Sequence, residues 1–197
     1  SRLGPELLSE VYGNPYSKIK VYYCSSYDFI ELENVMSTRN PARTLVVISS
    51  KSFNTPEVIE NANKAKDWLE SVVGDHCWDQ IIGISSNKEA MTEFGIEDAN
   101  QFEILDSVGG RYSIWSSISL PAIVDMGWKG FEEFLEGAYE ADKHFRNNPW
   151  DQNIPVLMAL LSVWNLNGLS INNLGIFSYD FKIRSLTKYL AQMGMES

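Results

Sequence analysis

Cysteine is scarce in these 197 residues: Cys24 and Cys77 are the only two, and they lack C-x-x-C spacing. They read as buried thiols of a reducing compartment, with no disulfide framework. Histidine is equally rare, and neither His76 nor His144 has a partner at metal-ligand spacing, so no metal site is expected. Basic residues are outnumbered: 16 Lys and Arg face 26 Asp and Glu, for a net charge of −10. That balance argues against nucleic acid and against anionic membrane surfaces as partners. No apolar run approaches the roughly 20 residues of a membrane-spanning helix. No signal-peptide pattern is present either, and a cytoplasmic location is expected. Neither G-x-x-x-x-G-K-[ST] nor G-x-G-x-x-G occurs, which removes the common nucleotide-binding loops. Internal repeats and low-complexity stretches are also missing.

What is present centres on Thr44 to Ala62. Leu45 to Ile48 is a short unbroken apolar run, suited to a strand buried on both faces of a parallel sheet. Next comes a polar turn in which Ser49, Ser50, Ser52 and Thr55 carry hydroxyls and Lys51 a charge. Pro56 and Glu57 then open a helix, with Thr55 as its expected N-cap. Free amides and a helix dipole converging on a hydroxyl-rich turn suit a phosphate monoester. The same composition also suits an ordinary capped turn, because Ser and Thr cap helices wherever they start. A net negative chain does not exclude an anionic ligand, since a local nest of amides can hold one.

Taken in order, the pattern predicts a helical turn or two over Glu6 to Tyr12, a strand over Ile19 to Cys24, and a helix from about Phe29 to Ser37. The organising strand follows, then a helix from about Pro56 to Val73 with Val58, Ala62, Ala65, Trp68, Leu69 and Val72 on one stripe. A third strand is expected over Gln80 to Ile84, a short helix over Lys88 to Phe94 ended by Gly95, and a fourth strand over Phe102 to Leu105. From Tyr112 onward the pattern is helical: roughly Ile114 to Met126, Trp128 to Phe145, Asn153 to Leu166 and Asp180 to Met193, with an exposed loop over Asn165 to Asn173. Alternating strands and helices imply an α/β three-layer αβα sandwich with a mainly parallel, flavodoxin-like sheet and a helical C-terminal part. Ligands of such sheets bind at the C-terminal strand edge, where the Ser49 to Thr55 turn falls. One domain is expected, an α/β core over 1–113 and a mainly helical part over 114–197. The abrupt start and finish suggest a piece of a longer protein.

Four further stretches could carry chemistry. Gly109 and Gly110 allow close backbone approach to a ligand, and Arg111 beside them could stabilise negative charge; a plain glycine turn with a surface arginine is the alternative. Glu196 ends an apolar-periodic helix and could serve as a general base or simply be solvated. Ser1, with Gly4, lies at another helix start suited to an anion. Asp142-Lys143-His144-Phe145 favours a structural or solvated histidine over a catalytic one. Trp115, Trp128, Trp150 and Trp164 have apolar neighbours and are expected in the core.

These stretches occur together in a known order. Ser49-Ser50-Lys51-Ser52-Phe53-Asn54-Thr55-Pro56-Glu57, Phe94-Gly95-Ile96, Asp106 through Ser116 with its Gly-Gly-Arg-Tyr-Ser block, Asp142 to Phe145, Asn153 to Leu157 and the terminal Met195-Glu196-Ser197 resemble the phosphoglucose isomerase family over nearly the whole chain. The Gly-Gly-Arg-Tyr-Ser block is the most specific of them. The start resembles the family's Gly-Gly-Ser-Asp-Leu-Gly-Pro without its two glycines. The chain would then be the first sugar-isomerase (SIS) domain of a longer enzyme.

The resemblance implies roles. Ser50, Lys51, Ser52 and Thr55 match the loop that holds the sugar's phosphate, and Ser1 a further contact on that side. Gly110 and Arg111 match the pair beside the reacting carbons, with Arg111 stabilising an enediolate. Glu196 matches the base that moves a proton between C2 and C1, and Gln192 a residue lining the substrate. It further implies glucose 6-phosphate and fructose 6-phosphate as substrates in glycolysis and gluconeogenesis, no cofactor, and a homodimeric parent. The family's ring-opening histidine and a nearby lysine lie beyond Ser197, so this piece alone is expected to have little or no isomerase activity. A non-catalytic SIS module sensing a sugar phosphate is the alternative. Four departures stand out, the first being that Ala191-Gln192-Met193-Gly194 takes the place of the family's Gln-Gln-Gly before Glu196. Asn54 replaces a hydroxyl of the family's Lys-Thr-Phe-Thr-Thr, Ser107 replaces a tryptophan, and Ser119 replaces a glycine.

Overall fold

The computed structural model describes residues 2–195. Its sheet holds three parallel strands in the order β1-β2-β3: β1 is Val46–Ser49, β2 Ile81–Ser85 and β3 Gln101–Glu103. The register pairs Val46 with Ile81 and Gly83 with Gln101. The connections are helices: α3, Pro56–Val73, after β1, and α4, Lys88–Phe94, after β2. Alternation along the strands divides their side chains between two layers. Ile48 and Ile81 join Ala62, Leu69, Cys77, Met91 and Ile96 in the core under α3 and α4. On the opposite face Ile84 packs with Ile104 and Ile118, against the partly buried Val47 and Ile82.

Four helices build the rest of that second layer: α1 Leu3–Tyr12, α5 Leu120–Met126, α6 Trp128–Asn147 and α8 Leu186–Met195. They share a core of Leu7, Leu8, Ile114, Ala122, Phe131 and Tyr189. Gly4 permits the close crossing here, because a Cβ at this position would lie 3.1 Å from that of Ile114. Helix α2, Ile30–Thr38, lies beside α3, and α7 is Ile154–Val163. At the start of α1, the Arg2 guanidinium reaches Glu31 at 2.7 Å and Glu6 at 2.9 Å, tying α1 to α2.

Several expectations need correction. Residues 19–24 form no strand, and 18–25 make no backbone ladder bond among the described residues. A hollow of about 1230 Å³ separates this segment from the free edge of β1. It is walled by apolar side chains of α3 (Val58, Ala62) on one side and of α5 (Pro121, Val124) on the other. Without a neighbour at the ~4.8 Å spacing of a ladder, an apolar, β-prone segment cannot be a strand. The single helix expected over Ile114 to Met126 is broken into 3₁₀ turns, Gly110–Trp115 and Ser117–Ser119, before α5 begins. Serines cause the break: the Ser113, Ser116 and Ser119 hydroxyls donate back to the carbonyls of Gly110, Ser113 and Ile114, each at 2.6 Å. Similarly, α7 stops at Val163 and passes into a π turn over Trp164–Gly168, and a 3₁₀ turn over Phe181–Ile183 precedes α8.

The four tryptophans expected inside are exposed, from 45% at Trp115 to 70% at Trp150. Trp115 stacks on Phe134 with centroids 4.2 Å apart, but none of the four reaches a core. Val72 is likewise exposed at the end of its stripe. Cys77 is buried and Cys24 only half-buried, and desolvation pushes both thiols above their usual range.

Candidate phosphate and sugar site

The loop after β1 is the candidate cradle, and its geometry follows from one residue. Phe53 takes a left-handed conformation, φ 52°, and is 2% exposed. Its ring drops into the α3–α4 core edge-on to Phe94, with centroids 5.8 Å apart. A non-glycine residue tolerates that backbone only when surrounding packing holds it. With Phe53 anchored, the loop is pinched closed. The Phe53 amide donates to Ser50 Oγ at 3.2 Å, and Ser50 Oγ lies 3.2 Å from Thr55 Oγ1.

Thr55 is the N-cap of α3 with Pro56 at the first helical position, as the sequence suggests. Its hydroxyl makes no capping bond and instead faces Ser50. Lys51 Nζ donates to the Asp106 carbonyl at 2.9 Å, and the Ser52 hydroxyl donates to Asn54 Oδ1. The amides of Lys51, Ser52, Asn54 and Thr55 have no acceptor among the described residues. Unused donors at a helix N-terminus form an anion nest.

Two contacts link this loop to the other candidate stretches. The Lys51–Asp106 bond brings the cradle to the segment that runs into Gly109, Gly110 and Arg111. From there the Tyr189 hydroxyl of α8 donates to the Arg111 carbonyl at 2.9 Å. Burial pushes the Tyr189 phenol above its usual range, so it remains a donor. Gln192 follows one turn later on the same helix and lines the hollow beside β1. The Arg111 guanidinium lies 5.3 Å from the Tyr112 ring centroid. Neither Gly109 nor Gly110 has positive φ, and a Cβ at Gly110 would meet nothing within 4 Å. The fold of this chain therefore does not require glycine at 110. Ser1 and Glu196 lie outside the described residues. The hollow beside β1 is lined by Ser49, Glu57 and Gln192 but not by Ser50, Lys51, Ser52, Thr55 or Arg111, so it is a separate feature from the cradle.

Of the two histidines, His144 links two helices. His144 Nε2 accepts the Ile154 amide at 3.1 Å, joining α6 to the start of α7. His76 is exposed and 3.3 Å from Asp79. Among the described residues no cluster of His, Cys, Asp or Glu is placed to hold a metal ion, and no helix is long and apolar enough to cross a membrane. Sequence reasoning missed Phe53, Tyr189 and the turn after β2, where Ser85, Ser86 and Asn87 touch the cradle from behind. The rule that ligand sites gather at C-terminal strand edges, applied to β2 as well as β1, would have flagged that turn.

The model of the family described as "Phosphoglucose isomerase" matches residues 1–197. The chain belongs to the phosphoglucose isomerase family. It is 41% identical over 188 residues to the glucose-6-phosphate isomerase of Helicobacter pylori (strain HPAG1), covering 94% of this chain and 34% of that protein. With the glucose-6-phosphate isomerase of Pseudomonas putida (strain GB-1) it is 42% identical over 201 residues, covering 100% of this chain and 36% of the relative. The crystal structure of a glucose-6-phosphate isomerase from Chlamydia trachomatis D/UW-3/Cx superposes with a TM-score of 0.88 at 28% identity, over 98% of this chain and 38% of that one. A hypothetical protein from Thermus thermophilus shares the fold, with a TM-score of 0.84 at 24% identity, over 99% of this chain and 46% of that one. This member of the phosphoglucose isomerase family thus spans about a third of the length of the curated relatives it matches.

Proposed function

We propose that this chain is the phosphate-gripping SIS-type domain of a glucose-6-phosphate isomerase, interconverting glucose 6-phosphate and fructose 6-phosphate as part of a longer, homodimeric enzyme. One observation carries the reading. At the N-terminus of α3, the facing Ser50 and Thr55 hydroxyls lie among amides that have no acceptor among the described residues. In a member of this family, that combination suits a phosphoryl group.

The chemistry follows from the residues. Gripping the phosphate at Ser50, Ser52 and Thr55, with Ser1 and Lys51 on the same side, orients the far end of the sugar. The open space at Gly110 lets the sugar's reacting carbons approach the backbone. Glu196 takes the C2 proton and returns it at C1, while Arg111 stabilises the enediolate oxygen between the two transfers. Gln192 lines the substrate. No step needs a metal or organic cofactor.

Calorimetric titration with 6-phosphogluconate tests the grip. The wild-type chain should bind, and Thr55→Val and Ser50→Ala should each weaken binding about tenfold, the cost of roughly 1.5 kcal/mol for one hydrogen bond to a charged group. Unchanged affinity in both variants would remove the assignment.

A further inference from the structure

We propose that Ser85 and Asn87, at the C-terminal end of β2, are positioning residues that keep the amides of the 50–55 loop turned towards the ligand. The proposal rests on the phosphate-cradle reading and extends it to two residues outside the cradle.

In a trans peptide the C=O of one residue and the N–H of the next point in opposite directions. Fixing a carbonyl inward therefore fixes the following amide outward. Three donors converge on the Lys51 carbonyl: the Ser86 amide at 3.0 Å, Ser85 Oγ at 2.8 Å and Ser86 Oγ at 3.0 Å. The amide that follows, Ser52 N–H, has no acceptor among the described residues and is thereby held facing away from β2. The next carbonyl, that of Ser52, accepts from Asn87 Nδ2 at 3.2 Å.

Ser85 is suited to this work because it is fully buried, with 0% exposure, and fully committed. Its oxygen donates to Lys51 and accepts the Asn87 amide at 3.0 Å, so one hydroxyl couples the cradle to the start of α4. Asn87 does two jobs with separate atoms. Its Oδ1 accepts the Ala90 amide and caps α4, while its Nδ2 reaches the loop. The two jobs can be separated, because serine caps helices about as well as asparagine but cannot supply the amide donor.

The experiment compares wild type, Ser85→Ala and Asn87→Ser in the 197-residue chain. Affinity for 6-phosphogluconate is measured by calorimetry, and amide exchange at Phe53 and Leu69 by NMR without ligand. Expected are a tenfold or greater loss of affinity in Ser85→Ala and about threefold in Asn87→Ser. Phe53 exchange should accelerate in both, with Leu69 in the α3 core unchanged. A merely structural role would move Leu69 as well and would leave Asn87→Ser, with its cap intact, like wild type. Wild-type affinity and wild-type Phe53 exchange in both variants would overturn the positioning role alone. A wild-type chain that ignores 6-phosphogluconate, while Phe53 exchange still responds to Ser85→Ala, would sink the cradle reading and the positioning role with it.

Discussion

Asn54 is placed to tune the proposed phosphate site. The related motif carries a hydroxyl at this position, whereas here the Asn54 carboxamide receives the Ser52 hydroxyl. A hydroxyl already donating to a neighbour is a poorer donor to an incoming phosphate. Asn54→Thr should therefore release Ser52 and tighten 6-phosphogluconate binding by roughly fivefold, the worth of about 1 kcal/mol for one hydrogen bond. Weaker binding in the variant, by calorimetry, would show that Asn54 itself contacts the ligand. Ser119 is the reverse kind of departure. Fully buried, it donates to the Ile114 carbonyl at 2.6 Å and belongs to the serine series that splits the 110–126 segment into short turns. Single serines read as helix-tolerant, and only their spacing of three signals 3₁₀ turns.

At the scale of elements, local chemistry was legible where a cap or a buried stripe decided the outcome. Helix α3 begins at Pro56 and ends at Gly74, with φ 61°, as its proline, threonine and glycine imply. Helix α4 matches as closely, with Gly95 left-handed and a Cβ there lying 2.7 Å from Trp78. What could not be read from one segment was pairing. Residues 19–24 carry a strand's composition but have no partner across the hollow among the described residues. The elements are also joined by charge. Hydrogen bonds from Arg2 and the Ser25 amide hold the Glu31 carboxyl below its ordinary value of 4.5. A group with a depressed folded pKa contributes stability above its unfolded value and loses that contribution as pH falls through the folded one. Melting temperature should thus decline as pH drops below about 4.5, and Glu31→Gln should be less stable at pH 7 with a shallower acid limb. Parallel acid limbs in the two proteins would show that Arg2 and Glu31 do not couple α1 to α2.

Over the whole molecule, the three-layer arrangement, the parallel sheet and the position of the polar 50–55 loop at its C-terminal edge were all legible, because each follows from strand–helix alternation. The destination of the aromatic and aliphatic surplus was not. Helix α7 and the chain beyond it expose Met158, Leu161, Trp164, Leu174 and Phe177, and apolar periodicity cannot distinguish a face covered by its own chain from one covered by another. The chain spans about a third of its relatives' length. The proposed cradle is built from contacts within β1, α3 and the turn after β2, so it should bind its ligand in this chain alone. The most direct test is an amide NMR titration of the 197-residue chain with 6-phosphogluconate. Saturable shifts centred on residues 50–57, with smaller ones at Ser85 to Asn87, Gly110, Arg111 and Gln192, are expected. Shifts centred on the hollow beside β1, or none at millimolar ligand, would contradict the account.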